Sequence, residues 1–332
     1  HLRGRILVST KNRGTGSSLL EFNCSGEFIG SVANTTLSDT LGSVLVILTG
    51  HSHVCFCGNT GALLITREAF GTTVWEEPLI IACHAHAIVM GAAMSYAGFD
   101  IFFTLDKEGF LGVIFVDNME LVRSFVNHPF LSDTKAAAIC AVSTYLYVAC
   151  DNGELLVLDI SMFLNGTVSA PTNLRSRVLK IKRLFRASQG LRSLAVVSPN
   201  AFLDLHCEDD DRYAFNAARA SAQDLVRFEE RKFDALEGHV LLVGSGDPPK
   251  GENGGDQPGG NGSDVLVLCP QGEHIRRLAT LRGHQHAVTQ VAADAAGRFY
   301  FTASAGDRRL CIWDSLSFNL EARYDRVAVS GI

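Results

Sequence analysis

LRGHQHAVTQVAADAAGRFYFTASAGDRRLCIWD, from Leu281 to Asp314, decides how the rest of this chain is read. It opens on Gly283-His284, passes a turn at Asp307 and closes on Trp313-Asp314. Asp307 stands six residues before Trp313, and the hydroxyls of Thr302 and Ser304 stand five and three residues before Asp307. A buried polar network of this kind stabilises only when every member is satisfied.

The Gly-His…Trp-Asp pattern resembles a WD repeat, whose unit is one four-stranded blade of a β-propeller. That resemblance implies a bond from His284 to Asp307, and a hydroxyl, Ser304 (or Thr302), bonded to both His284 and Trp313. The hydroxyls lie one residue further from Asp307 than is usual in the family, which is read as an insertion of one residue. These residues are expected to hold the fold and to take no part in catalysis.

Further blades are expected at intervals of about 40–45 residues. The third strand of each is sought as an alternating apolar run ending at an aromatic or aliphatic residue before Asp, Glu or Asn. Six runs qualify: SLLEFN at Phe22, TTVWE at Trp75, LGVIFVD at Val116, ELLVLD at Leu158, DVLVLC at Leu268 and LCIWD at Trp313. Three are followed by similar outer strands, SGEFIGSV, NMELVRSFV and QGEHIRRLATL. RILVST, ALLITR, DIFFTL, YLYVAC and HVLLVG, rich in β-branched and aromatic residues, suit the preceding second strands. The long interval from Leu158 to Leu268 is read as insertions. Within 203–238, Leu225, Phe228, Phe233 and Leu236 fall near helical spacing, and 246–264 is a Gly/Pro/Asn/Asp-rich loop at a hairpin tip. The expected fold is therefore all-β: one WD-repeat β-propeller over 1–332, with blades near 1–35, 41–82, 83–127, 136–185, 191–282 and 283–325. The first blade lacks an obvious leading strand, so at least one more blade is expected before His1, or the ring here is incomplete; a start at His in place of Met is expected of a cut from a longer chain.

The 332-residue chain is 47% hydrophobic and 19% charged, enough to bury a large core. Its net charge of −6 argues against a protein held to nucleic acid by phosphate contacts. No apolar run is long enough to span a bilayer as a helix, and nine scattered cysteines suit reduced thiols in a cytosolic protein.

The first third, through RILVSTKN…SLLEFNCSGEFIGSVAN, GALLITREAFGTTVWE and GFLGVIFVDNMELVRSF, resembles the C-terminal WD-repeat region of BEACH-domain proteins, the neurobeachin group. Phe22, Asn23, Gly26, Gly71 and Trp75 occupy the places of that family's turn and Gly-x-x-x-Trp strand. The defining BEACH domain is absent here, and the later blades depart from the family's pattern. The resemblance implies a large cytosolic scaffold acting in vesicle traffic at membranes, without catalytic activity.

His51, His53, Cys55 and Cys57 alternate, and Cys83, His84 and His86 form a second cluster. Zinc takes such ligands, but its sites draw pairs from separate elements around a turn. Gly50-His51 also sits where a blade's Gly-His belongs, so His51 and Trp75 are expected as markers of the second blade, with no metal and no cofactor. Arg175, Arg177, Lys180, Lys182, Arg183 and Arg186 form a basic stretch. The solvent face of an outer strand explains it, and contact with a partner or anionic lipid is the functional alternative. Asp209–Asp211 lacks the spacing of a calcium loop, and no nucleophile elbow or phosphate loop is present.

The expected function is a non-enzymatic scaffold binding other proteins or peptides, cytoplasmic and peripheral at membranes through a larger protein, with no nucleic acid and no small-molecule substrate. The insertions are the expected contact sites. The alternatives are a metal-dependent enzyme on a propeller frame, or a substrate receptor of a ubiquitin ligase or chromatin complex.

Overall fold

The computed structural model describes residues 5–12, 16–23, 25, 27–31, 40–67, 75–96, 98–117, 120–126, 135–164, 181–197, 239–246, 263–271, 274–294, 297–315 and 317–327. They form six antiparallel sheets in chain order, and Ser161–Leu164 makes a single helical turn. This is the all-β, WD-repeat β-propeller class, built blade by blade.

The first sheet has three strands, β1 (Arg5–Asn12), β2 (Gly16–Asn23) and β3 (Phe28–Ser31). The second runs β4 (Val44–Thr49), β5 (Val54–Gly58), β6 (Ala62–Thr66), β7 (Leu79–Ala82), and the third β8 (Ile88–Tyr96), β9 (Phe99–Asp106), β10 (Leu111–Asp117), β11 (Glu120–Val126). The fourth runs β12 (Ala136–Val142), β13 (Tyr145–Cys150), β14 (Glu154–Asp159), β15 (Ile181–Arg186). The fifth is β16 (Gly190–Val197), β17 (Val240–Gly246), β18 (Asp264–Gln271), β19 (His274–Arg282), and the sixth β20 (Gln290–Ala293), β21 (Phe299–Ser304), β22 (Arg309–Asp314), β23 (Leu320–Asp325). Contacts gather the chain into two compact units, one of His1–Asp133, Ala141–Tyr145 and Asp159–Leu179, the other of Thr134–Cys140, Leu146–Leu158 and Lys180–Ile332.

Burial explains why the two middle strands read as continuous apolar runs rather than alternating ones. VCFCG and ALLIT are buried at every residue, as is VLLVGSG of β17. A strand covered on both faces needs apolar side chains in both directions. The outermost strand is wetter, and LEARYD of β23 is exposed at five of its six positions.

Two irregularities recur. In five sheets the outer strand carries one extra residue against the third strand, at Ile29, Val122, Leu184, Leu278 and Glu321. In the second, third and fifth sheets the first strand carries an extra residue, Leu45, Val89 or Arg192. A bulge displaces one residue from the ladder and shifts the phase of those beyond it. That accounts for the exposure of Leu45 and Val89 within otherwise packed strands.

The hairpins between second and third strands share a turn chemistry. Asn59-Thr60-Gly61 and Asp151-Asn152-Gly153 place glycine at φ +84° and +88°, a region costly for other residues. A side chain there would also strike backbone, since a Cβ on Gly61 would lie 2.3 Å from the His84 carbonyl oxygen.

The second sheet corrects the sequence reading. Its third strand is Ala62–Thr66, read from sequence as a second strand, and it pairs directly with β7, so the four strands are complete without TTVWE. Trp75 is an isolated bridge residue packed against the cluster of Leu41, Val54, Phe56, Ala62 and Leu64. Glu76 returns to the end of β6, its carbonyl accepting from the Thr66 hydroxyl at 2.9 Å and its carboxylate from Arg67 at 2.8 Å. The five-residue apolar run at Ala62 follows the tight Gly61 turn directly, which pairs it with β5 and gives it the third-strand place. The expected insertions at 203–238 and 246–264 lie outside the described residues, except Gly246, which ends β17, and Ser263 and Asp264 at the start of β18.

Asp100, at the start of β9, gathers three consecutive backbone N–H groups, those of His51 (2.7 Å), Ser52 (2.8 Å) and His53 (2.9 Å). It also accepts from His53 Nδ1 at 2.8 Å and Ser95 Oγ at 2.6 Å, tying the β4–β5 turn to the third sheet. Burial raises the carboxyl's pKa, but these hydrogen bonds, led by His53, outweigh it and hold the group well below the usual carboxylate range. Asp100→Asn substitutes an amide that cannot accept at both positions. It is expected to cost at least about 2 kcal/mol at neutral pH, measured by urea unfolding, and to lose less stability than the parent as pH falls below about 4.

Candidate functional site

The signature residues of the sixth blade converge in one buried chain. Trp313 Nε1 donates to Thr302 Oγ1 at 2.9 Å, and Thr302 Oγ1 lies 2.9 Å from His284 Nε2. His284 Nδ1 lies 3.1 Å from Asp307 Oδ2, which also accepts the Gln285 N–H at 2.8 Å. A carboxylate can only accept, so Nδ1 carries the imidazole proton. Nε2 is then an acceptor, filled by the Thr302 hydroxyl, whose oxygen is in turn filled by the indole. With a neutral imidazole every donor in the chain is used. Burial pushes the His284 pKa below its usual value, with Asp307 opposing.

The hydroxyl of this chain belongs to Thr302. Ser304, taken first from sequence, is also fully buried but only accepts the Asp307 N–H at 3.4 Å. Thr302 pairs with Cys311 in the β21–β22 ladder, two residues from Trp313 on the same strand face, so the register aims its side chain at the indole.

A second network occupies the third blade, where the sequence reading placed a cysteine–histidine cluster. His84 Nε2 lies 2.8 Å from Thr104 Oγ1, and His84 Nδ1 lies 3.3 Å from Asp106 Oδ2. Burial lowers the His84 pKa as well, against the pull of Asp106. Ile114 stands where the register would place the indole, so this network has three members. Gly112, opposite Thr104, is obligatory by space: a Cβ there would lie 2.6 Å from both His84 Nε2 and Thr104 Oγ1. The signal was legible as Thr104-Leu105-Asp106 following His84 at nearly the distance that separates His284 from Thr302 and Asp307. Cys83 in place of the usual glycine concealed it.

His51 does not take the blade-histidine role. Its side chain is exposed, and its backbone N–H engages Asp100, while the buried imidazole is that of His53. The supposed row of four ligands also divides, with His51 and His53 in the turn and Cys55 and Cys57 on β5. Cys55 and Cys57 have sulfurs 3.9 Å apart inside the cluster that includes Leu63, Ile65 and Phe102, and Cys83 packs against it. Burial pushes Cys55 well up and Cys83 up to about 12, which keeps both as thiols at neutral pH and makes them poor nucleophiles and ligands. Among the described residues no group of three or more His, Cys, Asp or Glu side chains could hold a metal ion.

Of the basic stretch, Arg175, Arg177 and Lys180 lie outside the described residues. Lys182 and Arg183 fall on β15, the outer strand of the fourth sheet, opposite Val157 and Leu156, and Arg186 ends it with an exposed side chain.

The family described as "WD domain, G-beta repeat" matches residues 275–314, which span β19 to β22. The matched unit therefore starts on one sheet's outer strand and ends on the next sheet's third strand. No curated protein matches the chain.

Thr302→Val keeps the shape and strands His284 Nε2 and Trp313 Nε1. It is expected to lower stability by about 2–4 kcal/mol, against about 1 kcal/mol for Ser304→Ala, read as shifts in the urea midpoint. A pH effect follows from His239, pushed down from 6.5 to about 4 by burial, with Nε2 2.7 Å from the Tyr147 hydroxyl. A folded-state pKa below the unfolded one means the unfolded chain binds the proton first, so stability is full above pH 6.5 and falls until about pH 4. The unfolding midpoint should drop across that window, and His239→Gln should flatten the drop.

Proposed function

We propose that the chain is a non-catalytic protein-interaction scaffold, the WD-repeat part of a larger cytosolic protein acting in vesicle or membrane traffic. The observation that carries the reading is that the signature polar groups bond one another. Thr302, His284, Asp307 and Trp313 form a closed relay, and His84, Thr104 and Asp106 repeat it, so these groups act on the fold. WD40 repeats mediate protein–protein interactions in general, using loops and strand edges on a rigid frame. The traffic role rests on the resemblance of the first third of the chain to the neurobeachin group, and the insertions at 203–238 and 246–264 are its proposed contact segments.

The test is quantitative affinity capture from a membrane-containing cell extract by the folded chain, with mass spectrometry and a chelator arm. The expected result is a saturable partner set, rich in vesicle-membrane proteins, unchanged by chelator and reduced by deletion of 203–238. No saturable partner would overturn the scaffold reading, and partners without membrane-traffic proteins would overturn the traffic part alone.

A further inference from the structure

We infer that the cleft between the outer strand of the fourth blade and the third and outer strands of the fifth is a docking groove for an extended acidic peptide segment of a partner protein; this rests on the scaffold reading and names the partner's chemistry. The cavity measures about 540 Å³. One wall is the end of β15 and the turn after it, Phe185–Gln189, and the other carries Asp264, Leu266, Arg277 and Arg282. That volume suits a ligand of several residues better than a single ion.

The charge of the cleft opposes that of the chain. Against a net −6 overall, the lining holds three arginines, Arg186, Arg277 and Arg282, and one carboxylate, Asp264. Arg282 alone has a carboxylate beside it, with Nε 3.8 Å from Asp264 Oδ2 and a side chain 80% exposed. Among the described residues neither Arg186 nor Arg277 forms an ion pair, although Glu154 lies opposite Arg186 in the β14–β15 ladder, and both arginines are exposed.

A backbone irregularity puts these groups on one wall. Asp264 pairs with Arg282 and Leu266 with Thr280, but the extra residue at Leu278 then sets Leu268 opposite Arg277. Without it Leu278 would fall opposite Leu268 and Arg276 opposite Pro270, so that Arg276 would share the phase of Arg282. With it Arg277 joins Arg282, Asp264 and Leu266 on the face that lines the cleft. Four ladder steps separate the two arginines, about 13 Å along the strand. Positive charges strung along a groove, with Phe185 and Leu266 between them, fit an extended chain with several Asp or Glu side chains. Guanidinium forks bind carboxylates in two-point fashion, and the steering is electrostatic.

The test uses the full chain and fluorescence anisotropy with an eight-residue Asp/Glu-rich peptide, a matched Asn/Gln peptide, inorganic phosphate as competitor and vesicles of anionic lipid. The acidic peptide is expected to bind, to weaken with salt, and to bind about tenfold or more weakly to Arg186→Ala/Arg277→Ala with an unchanged melting temperature. Lys107→Ala, an exposed site elsewhere, should change affinity by less than about twofold. Absent acidic-peptide binding, equal binding of the neutral peptide, an unaffected double variant, or full displacement by equimolar phosphate would each overturn the proposal. Anionic vesicles that bind the parent but not the double variant and exclude the peptide would reassign the groove to a membrane surface. Captured partners retained by the double variant would remove the groove and leave the scaffold reading in place, whereas failure to capture any partner would remove that reading itself.

Discussion

The hairpin between the second and third strands of a blade carries a polar side chain, and the segment entering the blade's first strand bonds to it. Asn59 Oδ1 accepts the Ser43 N–H at 3.1 Å, and Asp151 Oδ1 accepts the Lys135 N–H at 3.2 Å. Asp106 and Asp307 are engaged instead by the imidazoles of His84 and His284. In the fifth sheet a serine serves, Ser245 Oγ lying 3.1 Å from Gln189 Oε1. An antiparallel sheet has no intrinsic reason to attach its inner edge to the chain that delivers it. This tie supplies one, and at His84 and His284 it also satisfies polar groups that would otherwise be buried without partners.

Where the acceptor is a buried carboxylate and its partner an imidazole, the choice of protonation state follows. A neutral imidazole donates at Nδ1 and accepts at Nε2, which links aspartate to threonine without a second charge in the interior. Asp100 solves the same problem differently, with three backbone N–H groups around one carboxylate. The shifted pKa values of Asp100, His84 and His284 arise from burial and from structural ties, and they mark fold contacts. Structural networks perturb such values as active sites do, so geometry must decide between them.

Irregularities of the ladder distribute side chains as much as the ladder does. The extra residue in the outer strand recurs in five of the six sheets, so it belongs to the blade and not to one site. Each time it reverses the phase of the outer-strand residues beyond it. Chemistry on these surfaces thus depends on a phase shift that hydropathy patterns do not display.

The residue pattern alone specified strand-sized apolar runs, the turns between them and the histidine, aspartate and tryptophan of the sixth blade's network, because these depend on local propensity and on spacing within one hairpin. The run at Ala62 was visible, but its place as a third strand was not, since two apolar runs competed and only the pairing of β5 with β6 through Gly61 selects one. Thr302 over Ser304 and His53 over His51 were both decided by tertiary structure. In each case neighbouring candidates have the same chemistry, and cross-strand register, bulges and burial determine which one meets its partner.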